Sequence, residues 1–390
     1  MDLSYTPAEE RFRDELRAWL DAHQPGAAPQ ALAEWVAYGK RWQRALYEAG
    51  WCGVHWPREY GGRGASLVEQ IIFQEEMARA GTPQLINLAG LTMGGPVLIA
   101  HGTEAQKRRH LQAILAADEI WCQGFSEPNA GSDLAALKTR AVLDGDSFVV
   151  TGQKVWTSFA RYADWCMLLV RTDPQAPKHK GITFLLVDMH SPGVTVRPLR
   201  QITGEEDFNE VFFEDVRVPR ANVVGALNGG WDIAIATLMH ERQTLTFSRQ
   251  LQSRVALNRL LALARRYPRG RPAAAEPRLR QKLAAAYIDS EAMRYTALRN
   301  LTRVLRGGTP GPEGSIEKLF WSEMYQRMLD TAVEMTGPFA QLVADSAGAV
   351  ENGLWSHLML YSRGRTIAAG SSEIQRNIIA ERVLGLPRAK

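Results

Sequence analysis

The chain has 390 residues, 45% of them hydrophobic, which is enough for a large buried core and suggests two or three domains. Its formal net charge is only +4, from 46 Lys+Arg against 42 Asp+Glu, and no basic run interleaves with aromatics, so no nucleic-acid partner is expected. Three cysteines, odd in number and far apart (Cys52, Cys122, Cys166), disfavour a disulfide scaffold and fit a reducing cytoplasm. No metal-ligand spacing occurs, no stretch is apolar enough to span a bilayer, and the acidic, amphipathic start lacks the apolar core of a signal peptide.

Residues 8 to 118 read as helices. Phe12, Leu16, Trp19 and Leu20 recur at helical spacing after the start signal Thr6-Pro7. Trp35, Tyr38, Trp42, Leu46 and Tyr47 repeat the pattern, and a glycine-rich loop over 56–66 separates them from helices over 67–80 and 103–115. From about 120 to 225 the helical period fades. Short runs rich in β-branched and apolar residues, over 148–156, 165–172, 181–189, 193–199 and 211–219, read as antiparallel strands. After Asn228-Gly229-Gly230 the helical period returns near 231–265, 277–306, 313–335 and 340–361, and a cap signal at Ser371 opens a last helix. The expected architecture is α+β in three parts: a helical domain over 1–118, a central antiparallel β domain over 119–225, and a helical, four-helix-bundle-like domain over 226–390.

Three passages carry a resemblance: Gly124-Phe125-Ser126-Glu127-Pro128-Asn129-Ala130-Gly131-Ser132-Asp133, then Gln153-Lys154-Val155-Trp156-Thr157-Ser158, then Gly370-Ser371-Ser372-Glu373-Ile374-Gln375-Arg376-Asn377. In these motifs and in its helix–strand–helix order the chain resembles the flavin-dependent acyl-CoA dehydrogenase family over essentially its whole length. The residues alone allow blander readings. Ala130 to Asp133 is also an ordinary turn with a Ser/Asp cap, Trp156 a core tryptophan, and Gly370 to Glu373 a helix cap.

The resemblance implies FAD. It places Phe125 and Ser126 at the isoalloxazine edge, Gly131 and Ser132 at the pyrophosphate, Trp156, Thr157 and Ser158 along the ring, and Gly370, Ser371 and Glu373 at the adenosine-diphosphate half. Arg271 and Gln281 are candidates for a neighbouring subunit's flavin, and Ser132, Arg242, Ala369 and Gly370 for the acyl-CoA. The implied reaction is α-proton abstraction with β-hydride transfer to flavin, electrons then leaving to an electron-transferring flavoprotein. A homotetramer built as a dimer of dimers is implied, with the three domains enclosing the cofactor.

Two positions depart from the family pattern. Ala369 stands where many members carry the glutamate base, and Thr336-Gly337-Pro338-Phe339 replaces a glycine-rich turn. In a subset of the family the base precedes an arginine on the first helix after the β domain, and Glu241-Arg242 matches. By helix statistics alone a surface carboxylate paired with arginine is the better reading of Glu241, but Ile233, Ile235, Leu238, Met239 and Leu245 around it suggest burial. His240 is the rival base. The competing functions are a non-catalytic subunit of a mixed assembly and a flavin oxidase or monooxygenase on the same scaffold. The displaced base leans the substrate towards branched or bulky acyl groups.

Overall fold

The computed structural model describes residues 4–29, 32–266, 275–307 and 311–388; at Leu32 and over 239–248 the description is of the backbone. The chain divides into two compact units, Met1–Glu241 and Arg242–Lys390.

The first unit begins with helices α1 (Pro7–Ala22), α2 (Leu32–Glu48), α3 (Leu67–Arg79), α4 (Gly95–His101) and α5 (Glu104–Ala116). Three of their starts use one device. Thr6, Ser66 and Thr103 each accept the backbone N–H three residues on, while Glu9, Glu69 and Gln106 reach back to the cap. The apolar stripe of α1 buries Phe12, Leu16 and Leu20 against Trp42, Leu46 and Trp51. Phe12 meets Trp51 edge-on at 5.3 Å.

The sheet contains β1 (Trp121–Gly124), β2 (Arg140–Asp144), β3 (Ser147–Ser158), β4 (Trp165–Arg171), β5 (Ile182–Asp188), β6 (Val194–Leu199), β7 (Phe208–Pro219) and β8 (Val223–Val224). The strand order is β6-β7-β3-β2-β4-β5-β8, with β1 beside β4. Pairing is antiparallel except at β1–β4 and β2–β4, which are parallel. The unbroken apolar runs of β4 and β5 follow from burial on both faces. Met167, Leu169, Phe184 and Leu186 face the helical core, while Cys166, Leu168, Val170, Leu185 and Val187 face a second core with Phe148, Val211 and Phe213. All three cysteines are buried, and Cys122 and Cys166 are register partners across β1 and β4.

In the second unit, the end of α6 (Gly230–Arg265) packs with α7 (Pro277–Leu305), α8 (Gly314–Thr336) and α9 (Leu354–Ser362) around Leu257, Leu260, Leu283, Leu329, Met335 and Trp355. The short α10 spans Ser372–Ile378. The continuous helix expected over 340–361 is not formed. Asp345, Gly348, Glu351, Asn352 and Gly353 all take positive φ, which no right-handed helix accommodates, so only its end becomes α9.

Candidate functional site

The first motif continues from the end of β1. The Phe125 ring is 5% exposed and sits edge-on to Phe184 at 6.0 Å, so only its backbone is available to a ligand. The Phe125 carbonyl accepts a hydrogen bond from Lys154 Nζ at 3.0 Å, and the Ser126 carbonyl accepts from Val155 N–H at 2.9 Å. Glu127 and Ala130 exchange backbone hydrogen bonds of 3.0 Å, closing a tight turn. Gly131 and Ser132 then stand exposed, and a Cβ at Gly131 would meet no protein atom. Packing therefore does not require glycine there, and the surface is open to a close ligand. Asp133 does not cap the short helical turn after it; its carboxylate pairs with Lys178 at 2.9 Å.

The second motif lies on β3, where the register with β7 slips between Lys154 and Thr157. The slip is a bulge, and it puts Trp156 at φ 59° with its ring 60% exposed. A tryptophan in that backbone region is strained. Its one close aromatic neighbour in the sheet is Phe208, edge-on at 6.1 Å. Thr157 points the other way. It is fully buried, and its hydroxyl has no hydrogen-bond partner among the described residues. Ser158 is exposed beyond it.

An exposed flat ring on a strained bulge, the exposed Ser158 hydroxyl two residues on, and an open glycine–serine turn after β1 fit a flat ring system carrying a pyrophosphate. These residues fit FAD.

In the second unit, Ala369 (φ 54°) and Gly370 (φ 89°) form a left-handed turn before α10. Gln375 Nε2 donates to the Ala369 carbonyl at 3.0 Å and the Gly370 carbonyl at 3.2 Å, and Lys318 Nζ donates to the latter at 2.6 Å. The N–H groups of Ala369 and Gly370 have no acceptor among the described residues. Ser371 caps α10 by accepting Ile374 N–H. Hydrogen bonds from its own backbone and from Ser371 hold the exposed Glu373 carboxylate below the usual range. Gln281 is exposed on α7, and Arg271 lies outside the described residues.

Glu241 and Arg242 lie on the helical backbone of α6, but their side chains, like that of His240, are outside the described residues. The burial expected around them is mixed: Ile233 is 4% exposed and Thr237 fully buried, whereas Ile235 is 42% exposed.

The sequence reading missed the buried Lys154–Glu127 pair, Asn209 and Lys318. A lysine within the apolar β3 run was the one available signal for the first. Nothing in pattern or spacing marks the other two.

Family models for the acyl-CoA dehydrogenase N-terminal, middle and C-terminal domains match residues 6–118, 122–216 and 228–384. The chain therefore belongs to the acyl-CoA dehydrogenase family, flavin-dependent oxidoreductases that act on acyl-CoA thioesters and bind FAD. It is 43% identical to "Acyl-CoA dehydrogenase IpdE1" of Mycobacterium tuberculosis over 97% of this chain and 98% of that protein. Among solved structures, "Tcur3481-Tcur3483 steroid ACAD" superposes with a TM-score of 0.87 at 33% identity, covering all of both chains. The ChsE4-ChsE5 complex from Mycobacterium tuberculosis gives 0.85 at 33% identity, again over both full lengths. Among the described residues no helix is long and apolar enough to cross a membrane.

Proposed function

We propose that the chain holds FAD and desaturates the α,β bond of an acyl-CoA whose acyl group is bulky and ring-bearing, with Glu241 as the base. The observation that carries the cofactor assignment is the exposed Trp156 ring on its strained bulge, with the exposed Ser158 two residues on. Trp156, Ser158 and the Ser126 backbone would line the ring, Gly131 and Ser132 the pyrophosphate, and Gly370, Ser371 and Glu373 the adenosine end. Bound FAD supplies the acceptor for the β-hydride. The Ala369 N–H, which has no acceptor among the described residues, would donate to the thioester oxygen, where charge develops as the α-proton leaves. A backbone donor needs no side chain, so loss of the glutamate at 369 leaves this role intact. Glu241 would take the proton, and His240, its neighbour in sequence on α6, is the alternative base. The ring-bearing acyl group is supported by the full-length likeness to a protein named a steroid ACAD.

Both structural relatives are named as pairs of components. That supports a second reading of the assembly, in which this chain is one of two kinds of subunit rather than the repeating unit of a homotetramer. Electrons leave to an electron-transferring flavoprotein, and the three free thiols support a reducing cytoplasm.

The test is anaerobic bleaching of the yellow protein against straight, branched and ring-bearing acyl-CoA thioesters, with native mass measured alongside. Fastest bleaching by a ring-bearing thioester is expected. Preference for a straight chain overturns the substrate class, rapid turnover with oxygen alone makes the protein an oxidase, and flavin that no thioester bleaches makes it a non-catalytic subunit.

A further inference from the structure

The first and second motifs are joined by a buried charge pair. Lys154, fully buried on β3, donates at 2.8 Å to Glu127 Oε1 as well as to the Phe125 carbonyl. Glu127 also accepts the backbone N–H groups of Lys138 at 2.7 Å and Thr139 at 2.8 Å. Burial pushes the Glu127 carboxyl up, but Lys154 and these donors outweigh it and hold it below the usual range. Burial lowers the Lys154 pKa, with Glu127 opposing. Buried ion pairs are often replaceable by apolar side chains without loss of stability. Stability alone is thus a weak reason for this one.

Its geometry supplies a stronger reason. A trans peptide is planar, with N–H and C=O pointing oppositely. Lys154 pins the Phe125 carbonyl inward, which turns the Ser126 N–H outward. The Ser126 carbonyl is pinned in turn by Val155, so both peptide planes around Ser126 are fixed. The Ser126 N–H has no acceptor among the described residues. We infer that Lys154 and Glu127 are positioning residues for the flavin: the pair aims the Ser126 N–H at the bound ring and places a balanced buried charge beside it that tunes its reduction potential. This rests on the proposed binding of FAD against Ser126 and Trp156.

The experiment compares FAD-loaded wild type with Lys154→Met, Glu127→Gln and the double variant, reading the FAD dissociation constant and the two-electron midpoint potential of the bound flavin at pH 8. Each single variant should weaken FAD binding by about tenfold or more. The potentials should move oppositely. Lys154→Met leaves an unbalanced negative charge and lowers the potential, Glu127→Gln leaves a positive one and raises it, and the double variant returns towards wild type. General loosening would shift both singles the same way. Glu76→Gln, at a buried carboxylate between Arg17 and Arg79 on α1 and α3, should change the thermal midpoint without moving the potential. Unchanged affinity and potential, or shifts of one sign, overturn the inference. Should Lys154→Met not fold, Glu127→Gln decides alone: an upward shift supports the pair's role, and any other result removes it. A wild type that takes up no FAD overturns the cofactor assignment itself, a different outcome from normal uptake with unaffected variants.

Discussion

The side-chain amide of Asn209 donates to the main-chain carbonyl of Thr157 over 3.0 Å, spanning the bulge that holds Trp156 in a left-handed conformation. The same amide reaches the Asp207 carbonyl at 3.2 Å, so one buried residue of β7 ties down the irregular stretch of β3 and its own strand together. Asn209→Ala should cost about 1–3 kcal/mol, the scale for removing a partner from a buried polar group. It should also release Trp156 from its strained backbone and weaken flavin retention. Urea denaturation and flavin content after dialysis check both, and normal values for both would mean that the bulge holds without Asn209.

Glu241→Gln keeps the side-chain shape and removes the basicity. Flavin content and acyl-CoA binding should be unchanged, while the rate of anaerobic flavin reduction falls about 10²–10⁴-fold. Stopped-flow absorbance measures it. Near-normal bleaching would transfer the role to His240.

Gly370 has two reasons to be glycine. Its φ is 89°, and an added Cβ would collide with Gln375 Nε2, the donor that holds the Ala369 and Gly370 carbonyls. Gly370→Ala should destabilise the protein by about 1–3 kcal/mol and displace the free N–H groups of the turn, slowing reduction by acyl-CoA more than it lowers flavin content. A variant with wild-type melting and kinetics would show that the turn tolerates a side chain.

Glu76 gives a pH prediction with a definite sign. Burial raises its pKa, but hydrogen bonds and charge from Arg17 and Arg79 more than offset this and leave it below the ordinary carboxylate range. A carboxyl depressed in the native state contributes stability that is fully present above the unfolded value, about 4.3, and is lost as pH falls through the lower native value. Glu76→Gln should therefore lower stability at pH 7 and flatten its fall below about pH 4.3. Equilibrium unfolding at pH 3, 4, 5 and 7 tests this, and an acid limb as steep as that of wild type counts against it.

Much of the fold is legible in the chain because its signals are local. The cap at Thr6, the apolar stripe of α1 and the unbroken apolar runs of β4 and β5 each reflect burial or backbone chemistry within a few residues. The short β1 and β2 and the helix α4 carry too few residues for a period to show. The missing helix over 340–361 has the reverse cause: the apolar spacing is present, but left-handed residues at 345, 348 and 351–353 break it. For the proposed site, the motifs single out Ser126, Ser132 and Trp156. They do not tell that the Phe125 ring turns into the core against Phe184, or that a lysine with no access to solvent stands beneath it, since both depend on strands far apart in the chain.

The burial of every thiol gives the protein an internal clock. Cys52 is 2% exposed and burial pushes its pKa up to about 12, while Cys122 and Cys166 lie fully buried on the neighbouring strands β1 and β4. A thiol reagent acts on thiolate, so folded protein should stay inert to it and each modification should mark an opening of the chain. Cys52 follows α2, whereas Cys122 and Cys166 share the sheet. Peptide mapping of the labelled sites would then time the release of the helices and the parting of β1 from β4 separately, in the unaltered chain. The same inertness leaves a single introduced surface cysteine free to carry a probe with no native thiol removed.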